Sequence, residues 1–237
     1  MVELAVSGEN PRFVDLFIAG SELSPRERAA AAAEVFEGLS DPTPEDFVAY
    51  WGVRWGAFGT LLKRNVPFSA IDRCHAEIRA LRKQGRTLVF RPEDITLPDL
   101  GIIHPEMKSW STYPRTSIHS DSRYGWIDIE DVVHAPNLRT TTDELKEVAE
   151  KTGRYGMTLE TYIIASQDHY DRKGEEHFDN NYQTTSRLPG SLYSSFGPEV
   201  VVDASFVGPR LLVNSYGYAS ISSTLLGARF EGVKLNK

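Results

Sequence analysis

Two regimes of hydrophobic spacing divide the chain. Up to about residue 86 the apolar positions recur every three or four residues, the period of a helix with one buried face. Ser24-Pro25-Arg26-Glu27 combines a capping serine, a first-turn proline and a glutamate at the third position. It predicts a helix through the alanine run to about Gly38. Thr43-Pro44-Glu45-Asp46 predicts a second helix, in which Phe47, Trp51, Trp55, Phe58 and Leu62 make one wide aromatic face. Gly52, Gly56 and Gly59 lie in that helix, where they cost stability and are expected to admit a neighbouring helix. Ser69 is expected to open a third helix, ending near Gly85, with Ile71, Cys74, Ile78 and Leu81 on its apolar side. Cys74 is therefore expected to be buried.

From Thr87 the spacing shortens. Thr87 to Phe90 predicts a strand, and Pro92, Pro98, Pro105 and Pro114 break the chain beyond it into loops. Gly125-Trp126-Ile127-Asp128-Ile129-Glu130 alternates as a half-buried strand does. Thr141 to Glu144 forms a capping box for a helix that stops before Gly153, and Thr158 caps another carrying Leu159, Tyr162, Ile163, Ser166 and Tyr170 on one face. The chain is polar from Asp171 through Asn181. Val200, Val202, Ala204 and Phe206 then alternate with Val201, Asp203 and Ser205; Val207-Gly208-Pro209 turns, and Leu211 and Val213 resume the alternation as the second arm of a hairpin. These elements predict an α+β protein: a helical region over 1–86, then a mixed region over 87–237 that ends in a small antiparallel sheet from about residue 184.

Composition narrows the function classes. The chain has 237 residues, 41% of them hydrophobic and 25% charged, the balance of an ordinary globular protein. A net charge of -7 argues against non-specific binding to a phosphate backbone. With Cys74 alone, no intramolecular disulfide can form. No basic apolar leader and no membrane-length apolar run is present, so a cytoplasmic location is expected.

Three clusters carry candidate chemistry. His119, Asp121, Asp128, Glu130, Asp131 and His134 are residue types that hold a divalent metal, and Asp128 and Glu130 share one strand face. A metal-dependent hydrolase or nuclease using His119, Asp121, Asp128 and Glu130 is one expectation, with His119, Asp128 and Glu130 as ligands; the alternative is a solvated strand. Asp168-His169-Tyr170-Asp171 with Glu175, Glu176 and His177 is either an acid–base group or a solvated helix end. The helices flanking Asn65-Val66-Pro67-Phe68, the second bearing Arg73, Arg79, Arg82, Lys83 and Arg86, fit a helix-turn-helix, although the basic residues crowd its C-terminal end and the first helix reads as core. Walker, Gly-x-Gly-x-x-Gly and Gly-x-Ser-x-Gly patterns are absent from the sequence.

Four segments carry a resemblance: Gly125 to Glu130 with Ala135-Pro136-Asn137, Thr161-Tyr162-Ile163, Ser186-Arg187-Leu188-Pro189-Gly190-Ser191, and Leu226 to Lys234. Over its C-terminal half the chain resembles an uncharacterised family of bacterial proteins, many from candidate phyla. The small-residue motif, the hairpin, the polar stretch and the closing Leu226-Gly227-Ala228-Arg229 also resemble the C-type-lectin-like modules of retroelement-diversified binding proteins. Those modules close on Ile-Gly-Phe-Arg. The resemblance implies that Leu226, Gly227 and Arg229 are scaffold, and that Asn214, Ser215, Tyr216, Tyr218, Ser220, Ser222 and Ser223 form a display surface. Tyrosine and serine suit that task, one as a rigid anchor and the other as an adaptable hydrogen-bonding group. The favoured expectation is a non-catalytic protein that recognises a protein or small-molecule ligand without a cofactor.

Overall fold

A computed structural model describes residues 11–18, 22–110, 117–119, 123–174, 176–181, 183–193, 200–214 and 223–232. The protein is α+β. The described chain opens on the helices α1 (Pro11–Ile18), α2 (Pro25–Glu37), α3 (Pro44–Leu62) and α4 (His75–Lys83). Ser24 and Thr43 cap α2 and α3 through the anticipated boxes, each side chain accepting from the backbone three residues on while Glu27 or Asp46 reaches back. The third helix departs from expectation. Residues 69–74 are non-helical, and α4 starts at His75, where the Glu77 carboxylate accepts from the Cys74 N–H at 2.7 Å. Cys74 is exposed rather than buried. Tertiary contacts hold the preceding residues: Ser69 accepts from Trp126 Nε1 at 3.1 Å, and Arg73 pairs with Asp128.

Among the described residues the strands form two sheets. β1 (Arg86–Arg91), β3 (Gly125–Glu130), β9 (Phe230–Glu231) and β4 (Tyr155–Gly156) make an antiparallel sheet in that order. The second sheet orders β2 (Ser117–His119), β5 (Thr185–Tyr193), β6 (Val200–Val207) and β7 (Arg210–Asn214), with β8 (Leu226–Ala228) parallel to the start of β5. The remaining helices are α5 (Leu97–Ile103), α6 (Thr142–Thr152) and α7 (Leu159–Lys173). The expected hairpin is β6–β7. Val207 pairs with Arg210, and Gly208 at φ 57 supplies the left-handed start that a two-residue loop needs.

One apolar core runs from Phe13 through the aromatic face of α3, β1, β3 and α7 to Phe206 and Leu211. Trp51 and Trp55 are core residues, and Trp55 Nε1 donates to the Phe90 carbonyl at 3.0 Å. The buried helix α7 packs on α2 and also touches β1 and β5, joining the helical part to both sheets.

The Ser186–Ser191 motif is explained position by position. Pro189 cannot donate to a ladder, and the β5–β6 register breaks between Leu188 and Leu192 around it. At Gly190 an added Cβ would lie 2.3 Å from the Gly156 carbonyl oxygen, so β4 reaches β5 only because both residues are glycine. Ser191 Oγ accepts from the Leu159 N–H at 2.8 Å and helps to cap α7. Gly227 is equally tight, with Pro136 O at 2.3 Å from an added Cβ. Of the α3 glycines only Gly59 is crowded, and by the carbonyl of Arg64 in its own following turn rather than by a neighbouring helix.

This contrast yields a stability test. Gly190→Ala and Gly227→Ala should each destabilise by roughly 2–4 kcal/mol through overpacking. Gly56→Ala, with nothing near its added Cβ, should stabilise by about 0.5–1 kcal/mol. Urea unfolding of the three variants checks both signs.

Candidate functional site

Among the described residues, the mid-chain acids Asp128, Glu130 and Asp131 are taken up by arginines. Asp128 is fully buried, and the guanidinium groups of Arg73, Arg86 and Arg154 surround it, at 3.2 Å for Arg73 and 3.5 Å for Arg154. Glu130 pairs with Arg154 and accepts from the Phe230 N–H at 3.3 Å. Arg154 also donates to the carbonyls of Asp128, Phe230 and Gly232, so it stitches β3 to β9. Burial and the neighbouring Arg86 lower its pKa to about 9. The strand that alternation marks as half-solvated is thus closed on both faces. His119 lies on β2, which pairs with β5, whereas Asp128 lies on β3 of the other sheet; the side chain of His119 and all of Asp121 fall outside the described residues. His134 is exposed. Among the described residues no group of three or more His, Cys, Asp or Glu side chains is placed to share a metal ion.

Asp131 instead joins the second candidate cluster. It accepts from Arg172 Nη2 at 2.9 Å and meets His169 Nδ1 at 2.7 Å. Although burial opposes it, Arg172 and His169 hold its carboxyl well below the usual range. Asp168 receives Tyr50 Oη and Arg172 Nε, and Arg54, buried under the rings of Tyr50, Trp51 and Phe58, pairs with Asp171 at 2.8 Å. Asp168 and His169 are buried, not a solvated helix end. They form a charge network that fastens α7 to α2, α3 and the turn after β3. His177 stacks between Tyr170 and Phe206 with ring centroids 4.4 and 4.3 Å away, and burial lowers its pKa to about 4.

The helix-turn-helix reading loses its geometry. Twelve residues, 63–74, separate α3 from α4, too many for the tight turn of that motif. Arg79 is bound to Asp41, Arg82 donates to the Ser40 carbonyl at 3.3 Å, and Arg73 and Arg86 are on Asp128.

Of the residues that the resemblance implies to be scaffold, Gly227 and Arg229 are buried and Leu226 is half-buried. Arg229 joins β8 of one sheet to β9 of the other and is 0% exposed. Its Nε donates to Ser186 Oγ at 2.9 Å and lies 3.4 Å from Asp179 Oδ2; its Nη2 donates to the Val133 carbonyl at 2.9 Å, and its guanidinium lies 4.1 Å from the Phe178 ring centre. Asp179 also accepts from Tyr162 Oη at 3.0 Å, Thr184 Oγ1 at 2.5 Å and Ser186 Oγ at 2.7 Å. Of the display residues, Asn214 ends β7 opposite Asp203, and Ser223 bridges to Leu226. Ser215, Tyr216, Tyr218, Ser220 and Ser222 lie outside the described residues.

Sequence reasoning missed Asp179, Arg154, Arg91, Glu231 and the Arg187–Asp203 pair. Arg91 donates to Thr158 Oγ1 at 2.7 Å, and Glu231 accepts from the Thr158 N–H at 3.1 Å, so both close on the N-terminus of α7. Burial pushes the Glu231 carboxyl up to about 7. Only Asp203 had a local signal, as a charge inside an alternating strand. No protein-family model, curated protein or solved structure matches the chain.

Two measurements probe these buried charges. Asp128→Ala leaves three arginines facing a void and should cost about 3–5 kcal/mol in urea unfolding, as removal of one side of a buried ion pair does. His177 binds its proton near 6.5 when unfolded but only near 4 when folded. Protonation therefore favours the unfolded chain, and its contribution to stability is lost as pH falls from 6.5 to 4. The full effect is about 3 kcal/mol. The difference in stability between wild type and His177→Phe should vary by that amount across the window, which acid titration of the two melting curves will show.

Proposed function

We propose that this is a non-catalytic recognition protein whose C-terminal sheet carries a ligand-contacting surface at Asn214, Ser215, Tyr216, Tyr218, Ser220, Ser222 and Ser223. The observation that carries the reading is the burial of the closing segment. Leu226-Gly227-Ala228-Arg229 is built as framework: Gly227 sits against the Pro136 carbonyl, Ala228 packs under α6 with Leu145, and Arg229 is sealed on Asp179. That is the division of labour expected of a lectin-like module, in which a fixed closing strand succeeds a polar stretch free to meet a ligand. The fixed points flank the stretch closely, at the end of β7 and at the Ser223–Leu226 bridge. Two of the acids that a metal-dependent enzyme would use, Asp128 and Glu130, are paired with arginines within the protein, which favours recognition over hydrolysis.

Affinity would come from the tyrosines, since a few central aromatic anchors dominate most interfaces. Panning a displayed peptide library against the full chain supplies a ligand. The Tyr216→Ala/Tyr218→Ala variant should then bind it at least about thirtyfold more weakly, a loss of about 2 kcal/mol or more, with its melting transition intact. Collapse of that transition would show the rings to be core and sink the proposal.

A further inference from the structure

Two donors on the aromatic helix α3 have no acceptor of their own. Trp51 and Arg54 are each 1% exposed, yet Trp51 Nε1 and Arg54 Nε meet no hydrogen-bond partner among the described residues. The other nitrogens of Arg54 are engaged: Nη1 donates to the Ala29 carbonyl at 3.4 Å, and Nη2 pairs with Asp171 at 2.8 Å. Asp168 Oδ1 lies 4.0 Å from Nε, beyond hydrogen-bond length. The neighbouring Trp55 differs, since its Nε1 donates to the Phe90 carbonyl. A buried donor left unpaired is costly, and natural proteins keep few of them.

Both side chains border a small cavity between α3, the end of α5 and α7. Phe58, Leu100 and Ile164 give it apolar walls, and His104, just past α5, is the one lining side chain that can accept a hydrogen bond. The cavity has about 10 Å³ of room for a water-sized body. One water molecule needs roughly 10–15 Å³ of such room and a few polar partners. His104 is buried, and its Nδ1 stands 3.5 Å from Glu106 Oε1. With the imidazole proton on Nδ1, facing that carboxylate, Nε2 keeps its lone pair.

We infer that this cavity is a binding site for one water molecule, which accepts from Trp51 Nε1 and Arg54 Nε, donates to His104 and so joins α3 to the end of α5. The lining selects it. Two donors, one of them charged, turn away a cation. An anion could accept from both, but Asp168 and Asp171 already stand beside Arg54, and a third negative charge there is repelled. Alcohols and amides accept as well, but they exceed the space. A water molecule is neutral, fits, and brings two lone pairs for the two donors and a hydrogen for His104. With it every nitrogen of Arg54 has a partner, and the charge network that fastens α7 starts from a fully satisfied guanidinium. The site is independent of the proposed recognition surface.

The test records water-selective NOE and ROE spectra of the nitrogen-15-labelled full chain, with the indole signals assigned through bonds. Trp51 Hε1 should show water cross-peaks of opposite sign in the two spectra, the mark of dipolar contact with a water that tumbles with the protein. Trp55 Hε1, on the same cavity but already donated to Phe90, should show none. Crystals of the full chain soaked in sodium bromide should show one ordered oxygen within hydrogen-bond distance of Trp51 Nε1 and Arg54 Nε, with no anomalous bromide signal there. In His104→Leu, which removes the acceptor, the Trp51 cross-peaks should fall at least twofold, and in His104→Gln, which keeps one, they should persist. The wild-type spectra and crystals decide the matter if neither variant folds. Absence of the Trp51 cross-peaks, equal cross-peaks at Trp55, bromide in the cavity, or full intensity in His104→Leu would overturn the inference.

Discussion

The ion pair of Arg229 with Asp179 is the contact on which the two-sheet arrangement depends. The last strands pass from one sheet to the other at Arg229, so the chain must change layers at a fully buried cation. A charge taken from water is stable there only if its hydrogen bonds are replaced. Asp179 and Ser186 meet Nε, the Val133 carbonyl meets Nη2, and the Phe178 ring covers the guanidinium plane. The carboxylate is equally committed, with donors from α7, from the turn before β5 and from β5 itself. One acid therefore ties together segments that lie far apart along the chain. It does so from a left-handed backbone position, φ 52, which aspartate tolerates better than most residues.

The same logic recurs across the molecule. Arg54, Arg91, Arg154, Arg172, Arg187 and Arg229 are all buried, each turned toward carboxylates or carbonyls. The planar guanidinium, with five donors in a fixed fork, suits such multi-partner positions better than lysine does. Arginine here is a structural joint. That is why a run of basic residues around α4, which in isolation resembles a nucleic-acid-reading helix, points back into its own protein.

The features legible in the sequence were local ones. The capping boxes at Ser24, Thr43 and Thr141 place three helix starts correctly because each is a hydrogen-bond exchange within four residues. The alternation at 125–130 and 200–207 finds its strands for the same reason. The errors came from contacts between distant residues. Apolar spacing runs back through Ile71 and Cys74, but Trp126 and Asp128, more than fifty residues on, hold Ser69 and Arg73 out of the helix. Asp128 reads as a surface acid because its covering arginines come from three separate segments. Asp179 lies in a stretch whose polarity is that of any solvent-exposed loop, and only its partners show that it is interior. Near the closing segment, Asp203 alone carried a local signal, and Gly227 and Arg229 are buried where the resemblance implies scaffold.

The stretch between β7 and β8 has fixed ends, set by the Asp203–Asn214 register and the Ser223–Leu226 bridge. For a span whose two ends are held by the fold, the closure entropy rises by about 0.6 kcal/mol for each doubling of its length. That closure cost grows only slowly with the number of residues between the two points.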